Sequence, residues 1–200
     1  QRICSSLQKM NFSTHLIGRV LKDSTPLEKK IFSQKRLKCF FNKGFLFYSE
    51  YNIRLFFFLL FHSFDIVCGC DLDTLPAAFF AAKIKRKKIV YDAHEYFPES
   101  PELIGKPNKQ SVWLFIEKLL VPRVDGLYTV SNSIAHLFNK KYKVNCKLIR
   151  NLPLKNKNQK NIALPINQRP ILLYQGAVNI GRGLNEMLLA MLKIENAEFH

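Results

Sequence analysis

Asp92, His94 and Glu95 stand close together, directly after the apolar run Ile89-Val90-Tyr91. An imidazole flanked by carboxylates suits proton transfer or the orientation of a hydroxyl, because histidine titrates near neutrality and a carboxylate can fix its ring. Short buried strands that stop at a polar, titratable cluster are where open α/β sheets place ligands, at the carboxyl ends of parallel strands. His94 could instead be a structural histidine satisfied by a backbone carbonyl, and Asp92 and Glu95 could be caps or ion-pair partners. A second grouping lies far along the chain. The apolar run Ile171-Leu172-Leu173-Tyr174-Gln175 enters Gly176, and Arg182-Gly183 precede the apolar stretch from Leu184 to Ile194. Strand, glycine-punctuated loop and helix N-terminus make a phosphate cradle, in which backbone N–H groups and the helix dipole face the anion and Arg182 adds a charged fork.

The elements needed to position these groups are legible as an alternation. Residues 1–10 read as a helix with Ile3, Leu7 and Met10 on one face, and residues 15–19 as a short strand. Residues 22–44 are highly charged and read as a surface excursion. The Phe-rich stretch 51–64 reads as a helix packed between a sheet and a neighbouring helix. Strands follow at 65–69, 88–91, 126–130 and 146–150, separated by helices at 75–84, 111–121 and 134–141. Thr74, in the loop Asp71-Leu72-Asp73-Thr74, and Ser131 occupy N-cap positions. This alternation predicts βαβ units and an α/β fold with a Rossmann-like parallel sheet flanked by helices. Arg19, Asp71, Asp92, His94, Glu95, Ser131, Arg150 and Asn151 then fall at the carboxyl edge, where Asp71, Asp92 and Glu95 are candidates to hold a hydroxyl-bearing ligand. Residues 1–153 form the first predicted domain and residues 154–169, polar and Lys/Asn-rich, a linker. Residues 170–200 begin a second Rossmann-like unit.

Composition narrows the partners. A net charge of +16, spread over both halves, favours an anionic partner such as a phosphorylated ligand, an acidic membrane surface or nucleic acid. RNA readers interleave aromatic and basic residues, whereas the Phe residues here cluster in apolar runs, so nucleic acid is disfavoured. The basic run Lys83 to Lys88 reads as an exposed turn on the far edge from the cleft. The apolar run around Phe57 is too short, and bracketed by Arg54 and His62, to span a bilayer, for which about 20 apolar residues are needed. Five scattered cysteines give no disulfide framework, and Cys68-x-Cys70 lacks a second pair or a histidine at zinc spacing. They read as buried small hydrophobes in a reducing compartment, and no metal is expected.

Together, Asp92-x-His94-Glu95, Val130-Ser131 before a helix, Arg150-Asn151 after a strand, and the loop from Gly176 to Arg182-Gly183 resemble retaining GT-B glycosyltransferases. The likeness is to family 4, the "group 1" class, over roughly residues 1–195. The stretches Asp71 to Leu75 and Tyr91 to Tyr96 are similar to a bacterial branch that makes surface polysaccharide. The resemblance implies that the first domain holds the acceptor and the second the nucleotide-sugar. It also implies a cytoplasmic enzyme, free or at the inner face of the plasma membrane, and transfer with retention and without an obligatory metal. By position, His94 matches the family's active-site histidine, and Asn151 the asparagine before the interdomain connection. Arg182 matches the basic residue that neutralises the donor diphosphate, with Gly176 and Gly183 shaping its loop. The acceptor is expected to be a glycan or a lipid-linked sugar, with peripheral contact to anionic lipid. Two features depart from the family: Ala177 stands where an arginine is common, and the two-glutamate donor motif would fall past His200. The glycine-rich loop of the first strand would precede Gln1. The chain therefore reads as a piece of a longer enzyme, inactive alone. The reading from a different class is a non-catalytic α/β module that binds an anion or nucleic acid.

Overall fold

The computed structural model describes residues 1–152, 169–176, 178 and 182–200. The expected alternation folds as α/β. Helix α1 (Arg2–Lys9) leads to β1 (His15–Val20), β2 (Ser33–Lys38) and α2 (Gly44–Phe61). Then come β3 (Ile66–Cys70), α3 (Leu75–Lys85), β4 (Lys88–Ala93), α4 (Pro107–Leu120), β5 (Gly126–Thr129), α5 (Asn132–Tyr142) and β6 (Lys147–Leu148). Strands β3-β4-β5-β6 form a four-stranded sheet in that order, with every pairing parallel. β1 and β2 make a separate parallel pair. Beyond the first domain, β7 (Ile171–Leu172) pairs in parallel with β8 (Glu198–Phe199), and α6 (Leu184–Met191) lies between them in sequence.

Side-chain alternation along the strands gives the sheet two unlike faces. One carries Ile89, Tyr91, Ala93, Leu127 and Thr129, all buried. All but Thr129 belong to one hydrophobic core with Leu75, Ala81 and Ala82 of α3, Leu120 at the end of α4, and Ala135 and Phe138 of α5. The other face carries Cys68, Cys70, Val90, Gly126 and Tyr128, all partly or largely exposed, with Asp92 as its buried exception. Gly69 points toward α3, where an added Cβ would stand 3.1 Å from the Leu75 Cα. Its lack of a side chain lets the helix approach the strand.

Helix α2 buries one stripe, Phe47, Tyr51, Leu55 and Leu59. The spacing is four residues, one face of an α-helix. Lys85 of α3 donates from Nζ to the carbonyls of Leu59 and Leu60 (3.3 and 3.0 Å) and to that of His62, covering the carbonyl end of α2.

Several expectations need correction. The charged excursion contains a strand, β2, because strand formation there rests on backbone pairing with β1 while its lysines stay in solvent. Helix α2 starts at Gly44, ahead of the Phe-rich run. The face of α1 bearing Ile3, Leu7 and Met10 is exposed. A short strand, β8, follows the last helix. Thr74 and Ser131 stand at the N-caps of α3 and α5 but neither caps through its side chain. Thr74 Oγ1 donates instead to the Cys70 carbonyl (2.7 Å), and Ser131 Oγ meets Ser133 Oγ (2.7 Å). The cap of α3 comes from α2, where Asn52 Oδ1 accepts from the Ala77 N–H (3.0 Å) and Nδ2 donates to the Asp73 carbonyl (2.7 Å). Of the cysteines, only Cys146 is buried. The expected linker lies outside the described residues except at Arg169, and so do Ala177 and positions 179–181 of the glycine loop.

Phe138 is fully buried and meets the Tyr91 and Tyr96 rings edge-on, at centroid distances of 6.3 and 5.9 Å. Phe138→Ala should therefore lower unfolding free energy by about 3–5 kcal/mol, read as a lower urea midpoint at unchanged slope.

Candidate active site

The residues after β3 and β4 are held by reciprocal bonds between the two loops. The Asp71 N–H donates to the Asp92 carbonyl (2.9 Å), and the His94 N–H donates to Asp71 Oδ1 (3.2 Å). Asp71 makes this possible by taking a left-handed backbone (φ 62), which aspartate tolerates better than most residues. Leu72 and Leu75, both fully buried, pin the loop to the core. On the other side Thr129 Oγ1 donates to the Ala93 carbonyl (2.6 Å) inside the core.

Asp92 is fully buried and neither of its carboxylate oxygens receives a directed hydrogen bond. His94 Nε2 lies 3.2 Å from Asp92 Oδ2, with the imidazole itself substantially exposed. The imidazole thus sits at the rim of the site with a buried carboxylate behind it. With Nε2 turned to Asp92, Nδ1 is the ring nitrogen left to meet a ligand. Burial pushes the Asp71 carboxyl above the usual aspartate range, against the pull of His94.

A cleft of about 380 Å³ opens beside this cluster, lined by Arg19, Tyr48, Tyr51, Asp71, Asp73 and Thr74 among others. Arg19 lies with its guanidinium carbon 4.1 Å from the Phe47 ring centroid, a cation–π contact. Burial, and then the Asp71 charge, push Asp73 up to about 6. Burial and then Asp73 push Tyr51 up to about 12. Two acids, an arginine and two tyrosyl hydroxyls around one cleft can bind a polyhydroxylated ligand by many polar contacts. The tyrosines escape the sequence reading because they sit among phenylalanines; their signal is the polar-tipped aromatic at i, i+3 in an otherwise apolar helix.

The candidate residues divide into groups. Asp71, Asp92 and His94 come together. Glu95 follows them in solvent, near enough for its charge to raise Asp71. Asn151 is exposed and its Oδ1 accepts from Arg2 Nη1 (2.9 Å), tying the end of the first domain to α1. Gly176 lies in an exposed bend after β7. Gly183 caps the N-terminus of α6 in a left-handed conformation (φ 71) that suits glycine, and Arg182 precedes it in solvent. The basic run 83–88 stands at the opposite, amino edge of the sheet, where Lys87 pairs with Asp65 (2.7 Å) and Lys88 with Asp125 (2.8 Å).

Fold and site together define a Rossmann-like α/β domain of parallel strands with its titratable cluster at the carboxyl edge, where such sheets bind ligands. The model of Glycosyltransferase Family 4 matches residues 1–153. The chain belongs to that family, and its activity is of the glycosyltransferase type. Among curated proteins, none matches it.

The displaced Asp73 carboxyl makes a stability test. Its folded value, about 6, lies above its ordinary 3.8, so its ionisation opposes folding. The cost is absent below about pH 4 and complete above about pH 6. Asp73→Asn should therefore stabilise the protein at pH 8 by about 1–2 kcal/mol, allowing for partial solvent access, and have no such effect at pH 4. Urea unfolding at the two pH values reads the difference.

Proposed function

We propose that this chain forms the acceptor side, and the first βα unit of the donor side, of a retaining GT-B glycosyltransferase. It would move a sugar from a nucleotide-diphosphate donor to a glycan or lipid-linked acceptor in cell-surface polysaccharide synthesis. The observation that carries the reading is His94 at the carboxyl edge, backed by buried Asp92 at 3.2 Å and bonded through its backbone to Asp71, in a domain of this family. Asp92 orients the imidazole through Nε2, and Nδ1 then faces the transferred sugar as a hydrogen-bond acceptor for one of its hydroxyls. Asp71, with Glu95 at the rim, binds acceptor hydroxyls. The cleft lined by Arg19, Tyr48, Tyr51 and Asp73 extends the acceptor site.

On the donor side, Gly176, Gly183 and Arg182 receive the diphosphate, with Asn151 at the passage between the domains. As the anomeric bond breaks, negative charge grows on the leaving diphosphate. The Arg182 guanidinium and the N–H groups at the start of α6 stabilise it there, an electrostatic role that needs no obligatory metal. Which sugar is moved is set by the site residues rather than by the fold.

His94→Ala in the complete enzyme should lower kcat by about 100-fold or more. It should leave the circular dichroism spectrum unchanged. Retained turnover would remove His94 from the site.

Peripheral contact with anionic lipid fits the outer face of α2 and α3. Ile53, Phe57, Phe61, Phe80 and Ile84 are all exposed there, and Ile53, Phe56, Phe57, Pro76 and Phe80 line an apolar groove. Lys83 and Arg86 extend this surface, each basic group near a lipid surface contributing about 1 kcal/mol. Among the described residues no helix is long and apolar enough to cross a membrane, so the expected mode is adsorption. Phe57→Ser with Phe61→Ser should reduce co-sedimentation with phosphatidylglycerol vesicles at least about tenfold. Equal sedimentation of both proteins would exclude this face as the contact.

A further inference from the structure

We propose that Cys68, Cys70 and Asp92 form a binding site for a borderline-soft divalent cation of the zinc class. The strand geometry assembles it. Cys68 and Cys70 are two residues apart on β3 and so project from the same sheet face. Cys70 is the register partner of Asp92 on β4, which adds a carboxylate that the sequence spacing alone does not reveal. One ligand atom from each of the three lies within 4.8 Å of the others. Two thiolates on tetrahedral zinc, at about 2.3 Å each, stand roughly 3.8 Å apart. Rotation of two exposed thiols can close that difference.

The second observation is Asp92 itself. It is fully buried and faces the two thiols, and its polar neighbours are the His94 imidazole, 3.2 Å from Oδ2, and the Tyr128 hydroxyl. Among the described residues, Glu117 is the other fully buried carboxylate, and it is bonded to Lys141 and Tyr142. A buried carboxylate with so few partners is costly, and a bound cation would satisfy its remaining lone pairs. Cys68 and Cys70 are both exposed, so a metal ion can reach them from solvent. Tyr128 Oη lies 3.8 Å from Cys68 Sγ, and His94 Nε2 lies 3.2 Å from Asp92 Oδ2. Two thiolates and a carboxylate leave a fourth position for water or for that imidazole. Binding releases the two thiol protons to solvent, leaving one divalent cation against three negative ligands. A disulfide is the less suitable product, since residues i and i+2 of an extended strand stand about 6.6 Å apart, at the upper limit for that bond. The site shares Asp92 with the proposed catalytic cluster, and its occupancy is read by metal binding rather than by turnover.

The test is titration of the reduced 200-residue chain with Co2+, followed by displacement with Zn2+. The expected result is one Co2+ per chain, with a tetrahedral visible spectrum and thiolate charge-transfer absorption that Zn2+ abolishes. Cys68→Ser and Cys70→Ser should each remove about half of the charge-transfer intensity and weaken binding at least tenfold. Asp92→Asn should weaken it by a similar factor. Wild-type spectra in both serine variants would place the metal on other cysteines and overturn the proposal. So would an octahedral spectrum without thiolate absorption. If Asp92→Asn fails to fold, the two serine variants, made at exposed positions, decide the matter.

Discussion

The register of three parallel strands governs this molecule. Cys70, Asp92 and Tyr128 stand side by side across β3, β4 and β5. The chain leaves β3 and β4 at the same edge, so Asp71 and His94 meet without any long loop to bring them there. The Asp71-to-Asp92 and His94-to-Asp71 bonds are available only because the strands end in step. A shift of one residue would turn Asp92 and Tyr128 into the core and expose Tyr91 and Leu127. The apolar face under α3 and α5 therefore fixes the polar edge as firmly as any contact within it.

Two fully buried carboxylates show what that edge costs. Glu117 accepts from Lys141 Nζ (3.0 Å) and from the Tyr142 hydroxyl, and Lys141 Nζ also reaches the Tyr96 hydroxyl. Burial pulls the Lys141 ammonium down, yet its bonds to Tyr96, Tyr142 and Glu117 outweigh this and keep it above the ordinary lysine range. The network joins α4 and α5 to the loop that carries His94, two residues before Tyr96. It pairs one oxygen of the buried Glu117 carboxylate, so that removing Lys141 would leave that charge uncompensated. Asp92 lacks such a network, with the His94 imidazole at 3.2 Å beside it, and proteins tend to leave polar groups incompletely satisfied where a ligand, rather than the fold, is to satisfy them.

Much of this was visible in the residues alone. The βα alternation from Asp65 to Arg150, the parallel sheet and the placement of His94 after β4 follow from apolar runs ended by polar groups. What escaped reading has physical causes. β2 is nearly all polar because a two-stranded pair needs backbone partners more than side-chain burial. The α3 cap could not be assigned locally, since Asn52 reaches it from another helix. The cysteines were read as core because cysteine usually is. Whether β3 turns them inward depends on register, and register depends on Gly69 and Leu75. Asn151 shows the reverse case, a residue marked by its motif whose side chain meets Arg2, far away in sequence, as no local pattern could indicate.

Helix α2 links the two surfaces on which the proposed function rests. Its first turns supply Phe47, Tyr48 and Tyr51 to the polar cleft, while its later turns expose Ile53, Phe57 and Phe61. A buried stripe at four-residue spacing fixes the helix's rotation, so cleft and apolar face cannot vary independently. Some of the chain's positive charge is already committed elsewhere: Lys85 to the carbonyls ending α2, Lys87 and Lys88 to aspartates, Lys141 to Glu117. Net charge alone is therefore a poor guide to the partner. A lipid-linked acceptor would need its headgroup in the cleft while its chain remains at an apolar surface, and α2 presents both along one rigid rod.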